Sequence, residues 1–252
     1  MTTSNDLNKV PPVTLAFWII KVSCTTVGET GADYLNFNMH LGLTITSLVM
    51  AAVLAVALVF QFRARTYVPW IYWLSVVLVS IVGTLITDNL TDNLGVSLWI
   101  TTSVFGVLLP IVFAAWYRTE KTLSIHHVDT PKREAFYWLA ILLTFALGTA
   151  AGDLLAETMH LGYLLSALVF AAAIGTIGIA WRLGLDATGA FWFAYILTRP
   201  LGASIGDYLA SDPDEGGLGL GVTVSSGLCL VAIIGTVLYL TLIKRRASTV
   251  SV

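Results

Sequence analysis

Long apolar blocks alternate along this chain with short polar stretches, instead of the closely spaced polar positions of soluble helices and strands. A helix that crosses a bilayer needs roughly 20 predominantly apolar residues. Eight blocks are long enough to be the centre of such a helix. They run from Leu15 to Thr26, Met50 to Phe60, Trp70 to Ile86, Trp99 to Trp116, Phe136 to Ala151, Leu161 to Trp181, Ala190 to Ile205 and Gly219 to Ile243.

The composition agrees with this pattern. Hydrophobic residues make up 57% and charged residues 11% of the 252 residues, and the mean hydropathy is +0.84. Soluble domains carry about 25% charged residues, so the main solvent of this chain is lipid. We predict an all-α integral membrane protein of about eight transmembrane helices. A net charge of -2 without a basic block predicts no nucleic-acid partner, and no motif predicts a cofactor.

The cations divide the polar stretches into two classes. Of the 13 Lys and Arg residues, all but Lys21 and Arg199 fall on one side of an eight-helix arrangement. Cytoplasmic loops of membrane proteins carry the excess of Lys and Arg. We therefore predict cytoplasmic termini and external loops around Asn36, Asp92 and Glu157, with a fourth around Asp212.

A fourfold repeat underlies the blocks. Tryptophan, glycine and aspartate recur with ten residues from Trp to Gly and five from Gly to Asp. The four sets are Trp18, Gly28 and Asp33; Trp73, Gly83 and Asp88; Trp138, Gly148 and Asp153; and Trp192, Gly202 and Asp207. Because each unit holds two spans, the four units have the same orientation, as in parallel-repeat transporters.

The repeat also sets the predicted organisation. We expect a cytoplasmic tail (1–11), repeats one and two (12–120), a cytoplasmic linker (121–133), repeats three and four (134–246) and a C-terminal tail (247–252). A small residue four positions after each glycine creates stripes that favour close helix crossings in lipid. The tryptophans are expected at the membrane–water interface, where aromatic residues are enriched.

The repeated aspartates are the candidate site. Asp33, Asp88, Asp153 and Asp207 share one depth, and a second carboxylate lies one helical turn from three of them: Glu29, Asp92 and Glu157. Such pairs share a helix face and suit a bound cation or an exchanged proton. The alternative is structural: if each helix breaks at its glycine, the aspartate caps the following turn.

Four further residues are candidates. Lys21 and Arg199 lie inside predicted spans, where a charge needs a partner or a wet cavity. They are predicted to be intramembrane counter-charges. The alternatives are a structural ion pair, cations that tune the nearby carboxylates, or, for Arg199, a counter-charge that moves. His40 and His160 recur in Met-His-Leu-Gly strings and are weaker candidates for metal ligands, beside carboxylates that suit Mn, Mg or Ca.

Several strings resemble a bacterial family of multi-spanning proteins described as "membrane-anchored protein". They are Gly-Glu-Thr-Gly-Ala-Asp at 28–33, Ala-Phe-Tyr-Trp at 135–138, Leu-Gly-Thr-Ala-Ala-Gly-Asp at 147–153 and Leu-Thr-Arg-Pro-Leu-Gly at 197–202. The resemblance extends from about Val10 to Arg246. It implies a multi-pass protein of the bacterial inner membrane and implies no activity.

The functional hypothesis is a transporter, or specifically an exporter, of an inorganic cation. The ion is a divalent metal such as manganese, or its movement is coupled to protons, and the external carboxylates bind it. The alternative is a non-transporting membrane sensor or scaffold. We expect no enzyme, because no nucleophile–base or metal-hydrolase motif occurs. The expected partners are the lipid bilayer and a metal ion or proton; the sequence leaves the oligomeric state open.

Overall fold

The computed structural model describes residues 8–250, which form long α-helices joined by short connections. The predicted tails at 1–11 and 247–252 lie partly outside these residues. The helices, numbered in chain order, are α1 (Leu15–Asp33), α2 (Leu43–Arg63), α3 (Pro69–Asp88), α4 (Leu98–Glu120), α5 (Pro131–Asp153), α6 (Gly162–Arg182), α7 (Ala187–Ala210) and α8 (Gly221–Val250).

Local sequence signals account for many of the helix starts. The side chains of Thr14, Ser97 and Thr130 accept hydrogen bonds from the backbone N–H three residues later, and Asp186 does the same for Gly189 N at 2.9 Å. These are N-caps, which satisfy an N–H that has no partner within the helix. Proline occupies the first position of α3 and α5, where its missing N–H has no cost.

Six of the described helices are long and apolar enough to cross a membrane, which agrees with the predicted membrane protein; α1 and α7 are not among the six. The six divide into two classes by burial. In α3 and α5 the most apolar stretch is 72% and 61% buried, against 17% in α2, α4 and α6. Helices α3 and α5 therefore lie inside the bundle, whereas α2, α4, α6 and α8 present apolar side chains outward.

The inner helices form a closed ring. Helix α1 packs against α3, α3 against α5, α5 against α7, and α7 against α1. Each outer helix packs chiefly against the inner helix of the following repeat: α2 against α3, α4 against α5, α6 against α7, and α8 against α1. The repeats are thus joined by both layers into a pseudo-fourfold bundle with a central axis.

The repeated glycines are the points where the ring closes. Each glycine lies against the residue three positions before the glycine of a neighbouring inner helix. A Cβ added at Gly28 would lie 1.8 Å from Ser80 Oγ, and one at Gly83 would lie 2.6 Å from Phe145 Cβ. The corresponding distances are 2.3 Å from Gly148 to Arg199 Cγ and 1.8 Å from Gly202 to Thr25 Oγ1. Only glycine permits this approach, and the predicted helix crossings are confirmed.

Short π-helical segments follow three of the aspartates. They span Tyr34–Asn38, Asn89–Asn93 and Leu154–Thr158, directly after Asp33, Asp88 and Asp153. The inner helices therefore run unbroken through their glycines and widen only after the aspartates. In the fourth repeat, Asp207 lies within α7, which continues to Ala210.

Candidate functional site

One face of each inner helix lines the centre of the ring. This face, the axial stripe, consists of the aspartate and the residues 4, 8, 12 and 16 positions before it. From the aspartate inward, its members are Asp33, Glu29, Thr25, Lys21 and Phe17 on α1; Asp88, Thr84, Ser80, Val76 and Tyr72 on α3; Asp153, Thr149, Phe145, Ile141 and Tyr137 on α5; and Asp207, Ala203, Arg199, Tyr195 and Phe191 on α7. All members except the partly exposed aspartates are 8% exposed or less.

The four aspartates come together at the end of the ring predicted to face outward. Electrostatic repulsion links each to its neighbours around the axis: Asp33 with Asp88, Asp88 with Asp153, Asp153 with Asp207, and Asp207 with Asp33. Glu29 acts on all four. Carboxylates from four different repeats therefore lie within electrostatic range of one another at this end of the ring.

The capping alternative is wrong for the first three aspartates. Asp33, Asp88 and Asp153 precede their π-helical segments without a side-chain capping hydrogen bond, and none of these helices breaks at its glycine. Asp92 and Glu157 lie exposed in the π-helical segments, within electrostatic range of the aspartates.

Directly beneath the aspartates, Arg199 occupies the centre of the ring with no exposed surface. Its Nη2 donates to Glu29 Oε2 at 2.7 Å and to Thr149 Oγ1 at 2.6 Å, and also bonds Thr84 Oγ1. Its Nη1 donates to the Thr25 carbonyl oxygen at 2.8 Å. One guanidinium thus joins all four inner helices, and the Arg199–Glu29 ion pair closes the axis.

Glu29 lies one helical turn from Asp33 as predicted and interacts with it electrostatically. Its carboxylate is also buried and bound to Arg199 on α7, a partner that the sequence does not show. Thr84 and Thr149, which sequence reasoning missed, occupy the equivalent position in repeats two and three. The available signal was the spacing: all three stand four residues before their repeat's aspartate.

Lys21 lies one layer deeper than Arg199 and forms no ion pair with a carboxylate among the described residues. Its Nζ is 4.3 Å from the ring centroids of both Phe145 and Tyr195. Among the described residues it has no hydrogen-bond partner. These distances are those of cation–π contacts, so two aromatic faces surround the ammonium group.

An aromatic belt closes the opposite end of the axis. The Phe or Tyr before each repeated Trp contacts the Trp of the next repeat around the ring. Ring centroids are 5.5 Å apart for Phe17 and Trp73, 5.6 Å for Tyr72 and Trp138, 6.1 Å for Tyr137 and Trp192, and 5.8 Å for Phe191 and Trp18. Because Trp73, Trp138 and Trp192 are buried, the prediction that they are lipid–water anchors is wrong. Each of their rings packs against the Phe or Tyr of the preceding repeat.

A polar contact next to the belt joins the N-terminal segment to the second half of the chain. Lys9 Nζ binds Glu134 Oε2 at 2.5 Å and donates to the Phe62 carbonyl oxygen at 3.0 Å. Gln61 donates to the other oxygen of the Glu134 carboxylate. Both charged residues are buried, so this pair adds a second closure at the belt end.

His40 and His160 are exposed at the turns that follow the π-helical segments. Their backbones have φ values of 53° and 56°, and Gly95 takes the same position in repeat two with φ 65°. A left-handed turn therefore explains this position. Among the described side chains, no three His, Cys, Asp or Glu residues are arranged to hold a metal ion.

Comparison with known proteins bears on the repeat. A family model described as "Repeat of Unknown Function (DUF347)" matches residues 16–67, 71–122, 136–183 and 190–246. The chain belongs to this repeat family. The four matches are the four two-helix units of the bundle, which confirms the predicted fourfold repeat and a family of unestablished function. No curated protein and no solved structure matches the chain.

Proposed function

We propose that this protein is a membrane transporter of an inorganic cation, and not an enzyme, with the central axis as its pathway. The aspartates form the outer binding region, and Glu29 is the deepest carboxylate. Arg199 is the counter-charge of Glu29 and separates from it when a cation or proton binds the carboxylate. The observation that carries the proposal is the buried Arg199–Glu29 pair beneath four carboxylates that meet at the axis. Ionisable residues are costly within a membrane and commonly mark ion pathways.

The charge balance of the site supports a cation. The five carboxylates of the four aspartates and Glu29 outnumber the two buried basic residues, Lys21 and Arg199. The aspartate end of the ring is therefore attractive to cations, and it raises their local concentration. Carboxylate oxygens serve as ligands for hard cations and as acceptors for protons alike.

The hydrogen bonds of Arg199 supply a release mechanism. A cation or proton that reaches Glu29 neutralises the carboxylate and weakens its bond to Arg199. The guanidinium retains the Thr25 and Phe145 carbonyl oxygens and the hydroxyls of Thr84 and Thr149 as acceptors. Arg199 can thus leave Glu29 and keep four hydrogen-bond acceptors, which reduces the cost of separating a buried charge from its partner.

The two ends of the axis suit alternating access. The aspartates are partly exposed, while the belt end is closed by packed rings and the Lys9–Glu134 pair. In this arrangement the pathway is accessible from the aspartate side, and transport requires the belt to open. We further propose that α1 and α7 also cross the membrane, because they alternate with α3 and α5 in one ring.

For localisation, we propose a bacterial inner membrane with both termini in the cytoplasm. The one-sided distribution of Lys and Arg supports this orientation. It places the aspartates on the external side and the aromatic belt on the cytoplasmic side.

Flux measurements in proteoliposomes test the proposal. The purified protein is assayed with manganese, magnesium, calcium, sodium and potassium gradients, each with and without a pH gradient. We expect flux of at least one cation in the natural protein. In Glu29→Gln, which removes the carboxylate charge, the flux should fall about tenfold or more. Glu120→Gln is the matched control, because Glu120 pairs with Arg133 and Lys132 away from the axis.

Two results would contradict transport. Natural protein that carries none of these cations under either condition favours the sensor or scaffold alternative. Equal flux in Glu29→Gln and the natural protein would exclude the axis as the pathway. Size-exclusion profiles of the variants ensure that flux is compared between folded proteins.

A further inference from the structure

The Lys21 ammonium has an environment unlike that of the other buried cation. Arg199 has five hydrogen-bond acceptors on three helices. Lys21 Nζ has no hydrogen-bond partner among the described residues, although it carries three potential donors and its side chain is fully buried. Its contacts are the faces of Phe145 and Tyr195, both at 4.3 Å.

These two rings come from different inner helices. Phe145 is on α5 and Tyr195 is on α7, while Lys21 reaches them from α1. The Tyr195 hydroxyl is also buried without a hydrogen-bond partner in the described part of the chain. The site therefore has two π faces around one ammonium group, and one of the two rings carries a buried hydroxyl that has no hydrogen-bond partner among the described residues.

The Phe145 ring connects this site to the Arg199–Glu29 pair. Lys21 Nζ lies 4.3 Å from the centroid of that ring, and the Arg199 guanidinium carbon lies 5.8 Å from it. On the pathway that we propose, a cation released from Glu29 toward the belt next meets this ring. The two layers are consecutive steps along one axis.

We propose that the faces of Phe145 and Tyr195 form an inner cation site for ions of the ammonium class, which the Lys21 side chain occupies as a tethered occupant. A free ammonium or small alkylammonium ion takes the place of the Lys21 ammonium between the rings. The role of this site in transport rests on the proposed function. Its preference for ammonium ions rests only on the contacts of Lys21 with Phe145 and Tyr195.

The chemistry of the site selects the class of ion. Divalent metals require several oxygen ligands, and two ring faces supply none. Ammonium groups bind aromatic faces through the ring quadrupole. The occupant itself, a primary ammonium, shows the size and charge that fit between these rings.

Lys21→Met tests the site by removing the tethered ammonium while keeping an unbranched side chain. We expect saturating methylammonium chloride to raise the Tm of this variant by about 2–4 °C over the same concentration of sodium chloride. The natural protein, with its site filled, should show no such difference. In the Lys21→Met background, adding Tyr195→Leu should abolish the shift, whereas Tyr195→Phe should preserve it because the ring face remains.

Equal Tm values of folded Lys21→Met in the two salts would overturn the inner site. If Lys21→Met does not fold, Lys21→Leu, which also removes the ammonium group, takes its place in the same measurement. Equal Tm values of folded Lys21→Leu in methylammonium chloride and sodium chloride overturn the proposal.

The two proposals can fail separately. A methylammonium-dependent Tm shift in Lys21→Met without flux of any cation supports the inner site and contradicts the transporter. Cation flux that requires Glu29, together with no effect of methylammonium on Tm, supports the transporter and contradicts the inner site.

Discussion

Arg199 reaches the centre of the ring by passing directly over Gly148. A Cβ at Gly148 would lie 2.3 Å from Arg199 Cγ, 2.6 Å from its Cβ and 2.9 Å from Pro200 Cδ. The glycine of repeat three thereby makes room for the counter-charge of repeat four. The equivalent glycines accommodate much smaller side chains, those of Ser80 and Thr25, or the Cβ of Phe145.

Gly148→Ala should displace Arg199 and separate it from Glu29. Because breaking a buried ion pair costs roughly 3–5 kcal/mol, we expect a large loss of folded yield and of Tm in detergent. Gly175→Ala on α6 is the matched control, since a Cβ there meets nothing within 4 Å. Parent-like stability of Gly148→Ala would contradict the close approach.

Glu29 and Arg199 should be strongly coupled in a double-mutant cycle. Glu29→Leu and Arg199→Met each leave one buried charge without its partner, at about 3–5 kcal/mol of the free energy of unfolding. The double variant leaves neither charge, so it should be less destabilised than the sum of the two single variants. Strict additivity in chemical denaturation would show that the pair is not coupled.

Asp33→Asn and Asp153→Asn should fold normally and lose cation-dependent activity. The amide keeps the shape of the side chain, but it cannot replace the charge of a carboxylate against a cation. Deletion strains carrying each variant are compared for tolerance to metal salts and pH. Natural behaviour of both variants would contradict the role of the aspartates.

Asp186 provides the contrast for that experiment, because it does cap a helix. Asp186→Asn should be tolerated, since Asn is as good an N-cap as Asp, while Asp186→Ala should cost about 1 kcal/mol of stability. Neither change should alter cation-dependent activity, which separates a capping aspartate from those at the axis.

The orientation of the bundle can be tested with single cysteines. Asp214→Cys lies in an exposed stretch of the loop after α7, and Lys121→Cys lies at an exposed position of the linker. An impermeant thiol reagent added to cells with a permeable outer membrane should label the first and not the second. The reverse pattern would place the aspartates in the cytoplasm. Cys24 is buried and Cys229 is partly buried. Labelling of the natural protein, which has only these two cysteines, gives the background.

Periodicity and spacing were sufficient to predict the helices, their fourfold repeat and the crossings at the glycines. Long apolar blocks allow few structures in lipid, because every backbone polar group must be satisfied within its own segment. Glycine followed four residues later by another small residue implies a close neighbour without showing which helix that neighbour is. The tryptophans illustrate the limit: their depth follows from the repeat, whereas their burial depends on the adjacent repeats.

The partners of the charged residues required the tertiary structure. Glu29, Arg199 and Lys21 precede their aspartates by four, eight and twelve residues, a regular spacing that places them on one helix face. They belong to helices α1 and α7, however, and nothing in a single repeat shows that Arg199 reaches Glu29 while Lys21 reaches two rings. Those contacts arise only when the last inner helix closes the ring against the first.

The sequence by itself determined a membrane protein of repeated helix pairs, each with an aspartate at the same depth, because bilayer thickness and helix geometry act on each segment independently. The tertiary structure decided that four aspartates meet at one axis, that Glu29 binds Arg199 there, and that Lys21 lies between aromatic faces. These features depend on which faces meet across the ring, and that is set by packing between segments far apart in the chain.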